Sequence, residues 1–153
     1  RKLELLDDDD LSEIFKSKFS FLALKQFYKD TSSPITCIIL DKKQNVKKIF
    51  EDLKDFNKHF RILVFLDKEN KLENPYMLIW RVVNNIDSKR DFYINADTIA
   101  INACAKDESD SYERQWPKQT DCSKSVLKEL IKRGILKEDK ELFNKFELCG
   151  EDF

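Results

Sequence analysis

Glycine occurs only twice in this 153-residue chain, at Gly134 and Gly150. A loop that cradles phosphate oxygens needs backbone free of Cβ atoms, so neither a P-loop nor a dinucleotide-binding fingerprint can be written here. Histidine is scarcer still. His59 is the only one, which excludes a His-rich metal site and leaves a Cys–His nucleophile pair without any local motif. Flanked by Asn57, Lys58 and Phe60 between a helical and a strand pattern, His59 is expected to be an exposed loop residue. An excess of either charge is also missing. Lys and Arg total 28 against 29 Asp and Glu, so there is no net basic face and no nucleic-acid partner is expected. No apolar run approaches the roughly 20 residues that span a bilayer. Cys37, Cys104, Cys122 and Cys149 show no Cys-x-x-Cys spacing, and the first two lie inside apolar runs. They read as reduced, buried thiols of a cytoplasmic protein, not as a disulfide scaffold.

What is present is an ordinary core. At this length one domain is expected, able to bury about 70% of its extended-chain surface. The twelve Phe residues read as core filling, not as stacking platforms. Asp7–Asp10 precedes Leu11-Ser12-Glu13-Ile14-Phe15 and predicts a helix N-terminus, where carboxylates cap free N–H groups and complement the dipole. An acidic metal site with Glu4 and Glu13 is the rival reading.

Phe19–Phe27 predicts a strand, and Ile35–Leu40 a second one covered on both sides. Helical spacing runs from Val46 through Ile49, Phe50 and Leu53 to Phe56. Strands follow at Arg61–Leu66, Asp91–Asn95 and Ile99–Ala105, and closing helices at Ser123–Arg133 and Lys137–Phe146. Gly134 marks the stop of the first closing helix, with Ile135 placed to meet Leu130. The alternation predicts a single α/β domain whose mixed, mostly parallel sheet is covered by helices on both faces.

The densest pattern is Tyr76–Phe92, YMLIWRVVNNIDSKRDF. Asn74 can cap a helix whose first position is Pro75, where the missing N–H costs nothing. Tyr76, Ile79, Trp80 and Val83 fall on one face and predict its apolar, core-directed side; Arg81, Asn84 and Asn85 share another. Asp87-Ser88-Lys89-Arg90-Asp91 ends the helix in a turn of paired charges. There Arg90 can be gripped by two oxygens of one carboxylate, ordering the strand that follows.

This stretch, from Trp80 to Asp91, resembles the W-x-x-x-N-x-x-D-P-x-R-D signature in the C-terminal domain of UbiD-like decarboxylases. These are prenylated-flavin enzymes of quinone biosynthesis and aromatic-acid decarboxylation. Ile62–Asp67 is similar to their strand ending in Val-Asp-x-Asp, and Ala100–Lys106 resembles their Gly-Ile-Asp-Ala-Thr-Lys strand. Trp116-Pro117 matches a Trp-Pro ahead of the closing helices. Ser88 stands where the family has Pro, and Ala100, Asn102 and Cys104 stand for Gly, Asp and Thr. Only Tyr93–Thr98 separates Asp91 from the following strand, where many relatives carry a longer loop beside the substrate pocket.

The resemblance implies a linker or helix over 1–18, the family's C-terminal α/β domain over 19–147 and a tail over 148–153. Its signature residues here are Asp67, Trp80, Arg81, Asn85, Asp87, Arg90, Asp91, Asn102 and Lys106. It implies that prenylated FMN, its divalent metal and the catalytic Glu and Arg reside in an N-terminal flavin domain. Catalytic, cofactor-binding and metal residues are thus expected to be absent from this chain. The first residue is Arg1 and not Met, which suits such a fragment. The implied role is assembly into a homo-oligomer and closure of a pocket for an aromatic acid, in ubiquinone or menaquinone biosynthesis. The alternatives are a stand-alone α/β interaction module with an exposed apolar face and no enzymatic role, and a small cysteine hydrolase using His59.

Overall fold

The computed structural model describes residues 3–117 and 122–147, so the expected tail at 148–153, with Cys149 and Gly150, lies outside the described residues. The described residues divide into two compact units. One takes the chain up to Glu73 together with Leu78–Ala105; the other takes Asn74–Met77 and the chain from Lys106 onward.

The first unit is built on five strands, β1 (Ala23–Phe27), β2 (Ile35–Ile39), β3 (Ile62–Leu66), β4 (Phe92–Asn95) and β5 (Thr98–Asn102), in the order β1-β2-β3-β5-β4. β2, β3 and β5 are parallel, with Ile35 opposite Ile62 and Ile62 opposite Ile99. β1 and β4 flank them antiparallel. The mixed α/β fold expected from the alternating pattern is present.

The central strands are apolar throughout because both sheet faces are covered. On one face Ile38, Leu63, Phe65 and Ala100 pack with Leu11 and Phe15 of α1 (Asp8–Lys16) and with Val46, Ile49 and Phe50 of α2 (Val46–Asp52). Phe15 meets Phe60 edge-on at 6.0 Å between ring centroids. On the other, Cys37, Ile39, Val64 and Leu66 pack with Leu72, with Leu78 and Val82 of α3 (Pro75–Asn85), and with Ile86. Each such large side chain, fully buried, contributes about 1.5–3 kcal/mol.

Helix starts follow their caps. Asp7 accepts from the Asp10 N–H at 2.8 Å and places Asp8–Asp10 in the first turn of α1. Asn45 accepts from Lys48 N–H at 3.0 Å to open α2.

Several elements differ from expectation. β1 begins at Ala23, not Phe19: the Phe19 N–H is taken by the Phe15 carbonyl as α1 unwinds, and the Phe19 and Phe21 rings enter the core from irregular backbone. α2 stops at Asp52, short of Phe56, because the Leu53 N–H is shared between the carbonyls of Ile49 and Phe50. That tightening converts the next turns to a 3₁₀ helix over Lys54–His59.

The largest correction concerns α3. Tyr76, Ile79, Trp80 and Val83, expected to face the core, are 54%, 61%, 45% and 61% exposed. The helix carries apolar residues on two stripes. Leu78 and Val82, a turn apart, form the one that the sheet takes.

His59 is also corrected. It is buried, and its Nδ1 lies 2.7 Å from the Glu4 carbonyl, so Nδ1 carries the proton and donates. The Glu4 N–H donates to the Lys58 carbonyl at 2.8 Å, and Lys58 Nζ pairs with the Glu4 carboxylate at 2.7 Å. Together these strap the N-terminal segment onto the 3₁₀ helix.

In the second unit, Asn74 Oδ1 accepts from the Met77 N–H at 3.3 Å, the cap expected before Pro75. α4 (Lys124–Lys132) is capped by Ser123 and α5 (Lys140–Lys145) by Asp139. Both are shorter than expected. Gly134 ends the α4 region at φ 69°, and Ile135 donates to the Leu130 carbonyl at 3.0 Å, the left-handed stop read from the sequence. Asn74 Nδ2 donates to the Lys145 carbonyl at 3.0 Å, and Lys145 Nζ stands 3.7 Å from the Tyr76 ring centroid.

Candidate functional site: the carboxyl ends of the central strands

Asp67 follows β3 directly, and its Oδ2 accepts from the Ala105 N–H at 2.7 Å just beyond β5. Its carbonyl accepts from Asn70 Nδ2 at 2.9 Å, and Arg81 of α3 donates to the Glu69 carbonyl at 2.9 Å and to Asn70 Oδ1 at 3.3 Å. Asn85, at the end of α3, donates to the Ala103 carbonyl at 3.0 Å. Asn102 closes β5. Its N–H donates to the Asp91 carbonyl at 2.9 Å, while its Oδ1 accepts from the Cys104 N–H at 3.3 Å.

The turn from Asp87 to Asp91 is tied through Asp91, which is fully buried. Asp91 accepts from Arg90 Nε at 3.0 Å and Arg90 Nη2 at 2.8 Å, and from the Asp87 N–H at 2.8 Å. Arg90 is thus held by two oxygens of one carboxylate. Asp87 itself is exposed. The Lys89 N–H at 2.8 Å holds its carboxyl below the usual range; a burial penalty opposes it, and the Arg90 N–H and the charges of Arg90 and Lys89 help.

Asp67, Arg81, Asn85, Asp87, Arg90, Asp91 and Asn102 therefore gather where β3 and β5 end, the end of a parallel sheet at which ligands characteristically bind. Trp80 does not join them and points outward on α3. Lys106 belongs to the second unit, where it is buried with its Nζ 5.4 Å from the Trp116 ring centroid. Lys43, not singled out from the sequence, adds a donor at this end: its Nζ reaches the Ala105 carbonyl at 3.0 Å. Asp41, which follows the β2 run, adds an acceptor: it accepts from Ser20 Oγ at 2.5 Å and Gln44 Nε2 at 3.2 Å. Asp67 is flagged through the family motif; Asp41 has no such motif, and its only signal is an acidic residue directly after a buried apolar run.

Carbonyls, N–H groups and carboxylates are spent on one another. Cys37 and Cys104 are buried, and burial pushes the Cys37 thiol up to about 12, far from a nucleophile's range. Among the described residues no three His, Cys, Asp or Glu side chains converge as a metal's ligand set. Among them, too, no helix is long and apolar enough to cross a membrane.

One concavity lies elsewhere in the first unit. A hollow of about 410 Å³ runs between α2 and the outer edge of β4, lined by Lys47, Phe50, Glu51 and the strand Phe92–Asn95. The short segment after Asp91 forms part of this wall.

No family model matches the chain. It is 40% identical over 147 residues to uncharacterized proteins of Helicobacter pylori strains J99 and 26695. The match takes in 94% of this chain but spans only about a quarter, 24%, of those relatives. Among solved structures it is similar to an evolved dimeric form of the UbiD-class enzyme HmfF from Pelotomaculum thermopropionicum in complex with prFMN (TM-score 0.57, 16% identity). That likeness covers 72% of this chain and 26% of the enzyme. It is also similar to vanillic acid decarboxylase of Sedimentibacter hydroxybenzoicus in open form with truncated ShVdcD (TM-score 0.56, 13% identity, 84% of this chain and 32% of that one). The fold is shared with part of UbiD-class enzymes. At these identities the likeness is one of fold.

Proposed function

We propose that this chain is the C-terminal, assembly and pocket-closing region of a UbiD-like carboxy-lyase that decarboxylates an aromatic acid, with quinone biosynthesis as its setting. The observation that carries this reading is the meeting of order and place. The Ile62–Asp67, Trp80–Asp91 and Ala100–Lys106 motifs follow one another as in the family, and the polar residues of the first two, with Asn102, converge at the ends of β3 and β5. The fold correspondence with a quarter to a third of UbiD-class chains supports it.

Prenylated FMN would supply the electron sink for loss of CO₂ in the whole enzyme. The described residues do not fit that group or its metal: they offer no convergent ligand set and no glycine-bearing loop at a helix N-terminus. No step of decarboxylation is therefore assigned to them. Their part is to hold a rigid wall. Asp91 fixes the start of β4, and Asp67 fixes the chain leaving β5.

The test is to produce the chain alone and joined to a flavin-domain polypeptide, supply prenylated FMN, Mn²⁺ and vanillate, and measure CO₂. Release from the joined protein alone is expected; release from the isolated chain overturns the placement of the chemistry. The exposed α3 stripe of Ile79, Trp80 and Val83 favours a second reading, an α/β interaction module with no enzymatic role. In that case the joined protein stays inactive.

A further inference from the structure

The two edges of the sheet are treated differently. At β1, Lys25 stands on the strand, and the Gln26 side chain ties it to the Leu6 carbonyl at 3.0 Å and the Asp8 carboxylate at 2.9 Å. At β4 the sequence Phe92-Tyr93-Ile94-Asn95 carries no Lys and no Pro, and Ile94 is 71% exposed. Charge, proline and short length keep edge strands from pairing; β4, four residues long, has only its shortness. Among the described residues no strand lies beyond it, so one side of its backbone faces outward. Directly beside that edge is the hollow of about 410 Å³, within the range of sites that accept a ligand group.

We propose that β4 is a strand-addition site for an extended peptide segment. The segment's backbone would continue the sheet, and a large apolar side chain would enter the hollow. Strand addition draws affinity from main-chain hydrogen bonds and specificity from pockets that take alternate side chains. Here Phe50 and Tyr93 offer an apolar wall. Lys47 and Glu51, one helical turn apart on α2, give the rim a positive and a negative end. The complementary segment carries an acidic residue on one side of its apolar anchor and a basic residue on the other.

The probe is the end-blocked heptapeptide Thr-Glu-Thr-Phe-Thr-Lys-Thr, titrated into the full chain while backbone amide resonances are followed. Shifts confined to Phe92–Asn95 and Lys47–Glu51 are expected, with a Kd on the order of 1 mM or tighter. N-methylation at alternate residues of the peptide should weaken binding at least about tenfold, because it removes the main-chain donors and keeps the side chains. Exchanging Glu and Lys in the peptide should weaken binding to the native chain and strengthen it to the Lys47→Glu, Glu51→Lys double variant. Both substituted positions are exposed.

Absence of shifts, shifts elsewhere, or equal binding of the N-methylated peptide overturns the proposal. So does concentration-dependent self-association through β4 that leaves the peptide without effect. None of these outcomes bears on CO₂ release, so failure here leaves the decarboxylase reading standing.

Discussion

Asp87 and Asp91 lock one another. The Asp87 N–H donates to the Asp91 carboxylate at 2.8 Å, and the Asp91 N–H returns to the Asp87 carbonyl at 2.9 Å. Arg90 then closes on the same buried carboxylate. Hydrogen bonds to charged groups contribute about 1.5–3 kcal/mol each. Asp91→Ala is expected to cost at least about 3 kcal/mol in urea unfolding, and Asp91→Asn less. A loss below 1 kcal/mol for the alanine variant would show that the turn does not hold the fold.

Asp87 supplies a pH dependence. Its carboxyl is held below its ordinary value of 3.8, so the folded form binds its proton less readily than the unfolded form. Its stabilisation is present above that ordinary value and is lost as pH falls through the lower folded value. Asp87→Asn should flatten this part of the acid limb, read as unfolding midpoint against pH from 5 downward. An unchanged acid limb contradicts the assignment.

The cysteines should separate by reactivity. Burial drives the Cys37 thiol to about 12, and Cys104 is buried too, whereas Cys122 is partly exposed. In a Cys149→Ser background, Ellman's reagent at pH 8 is expected to modify Cys122 alone until denaturant is added. Rapid labelling of Cys37 in the folded chain would contradict its burial.

His59→Ala removes the donor to the Glu4 carbonyl and should loosen the N-terminal strap. Hydrogen exchange at Glu4 and Leu6 is expected to quicken at least tenfold, with a global cost of about 1–3 kcal/mol. Exchange that does not change at those amides would mean that the Lys58 contacts suffice.

The two stripes of α3 should respond oppositely. Leu78→Ala is expected to cost about 2–5 kcal/mol, and Val83→Ala or Ile79→Ala within about 0.5 kcal/mol. Thermal unfolding of the three variants checks the assignment.

These contrasts show what was legible beforehand. Continuous apolar runs located β2 and β3 almost to the residue, because strands covered on both faces have no polar alternation to misread. Caps and stops at Asp7, Asn74 and Gly134 were equally visible, since they rest on local chemistry.

Long-range choices were not. Periodicity picks the Tyr76, Ile79, Trp80 and Val83 stripe of α3 for the core, whereas the sheet takes Leu78 and Val82. His59 looked like a loop residue because its partner, the Glu4 carbonyl, lies 55 residues away. At the candidate site, the Arg90–carboxylate grip was readable from spacing. The ties from Asp67 to Ala105 and from Asn85 to Ala103 exist only because β3 and β5 are neighbours.

That neighbourhood has a kinetic consequence. The pairings at the two flanks are hairpins between successive strands and can close early, β1 with β2 and β4 with β5. β3 alone joins them, through Ile35–Ile62 on one side and Ile62–Ile99 on the other. Each of those parallel closures must bring together distant parts of the chain before it gains anything. Arrival of β3 is thus the step at which two separately formed hairpins become one cooperative sheet.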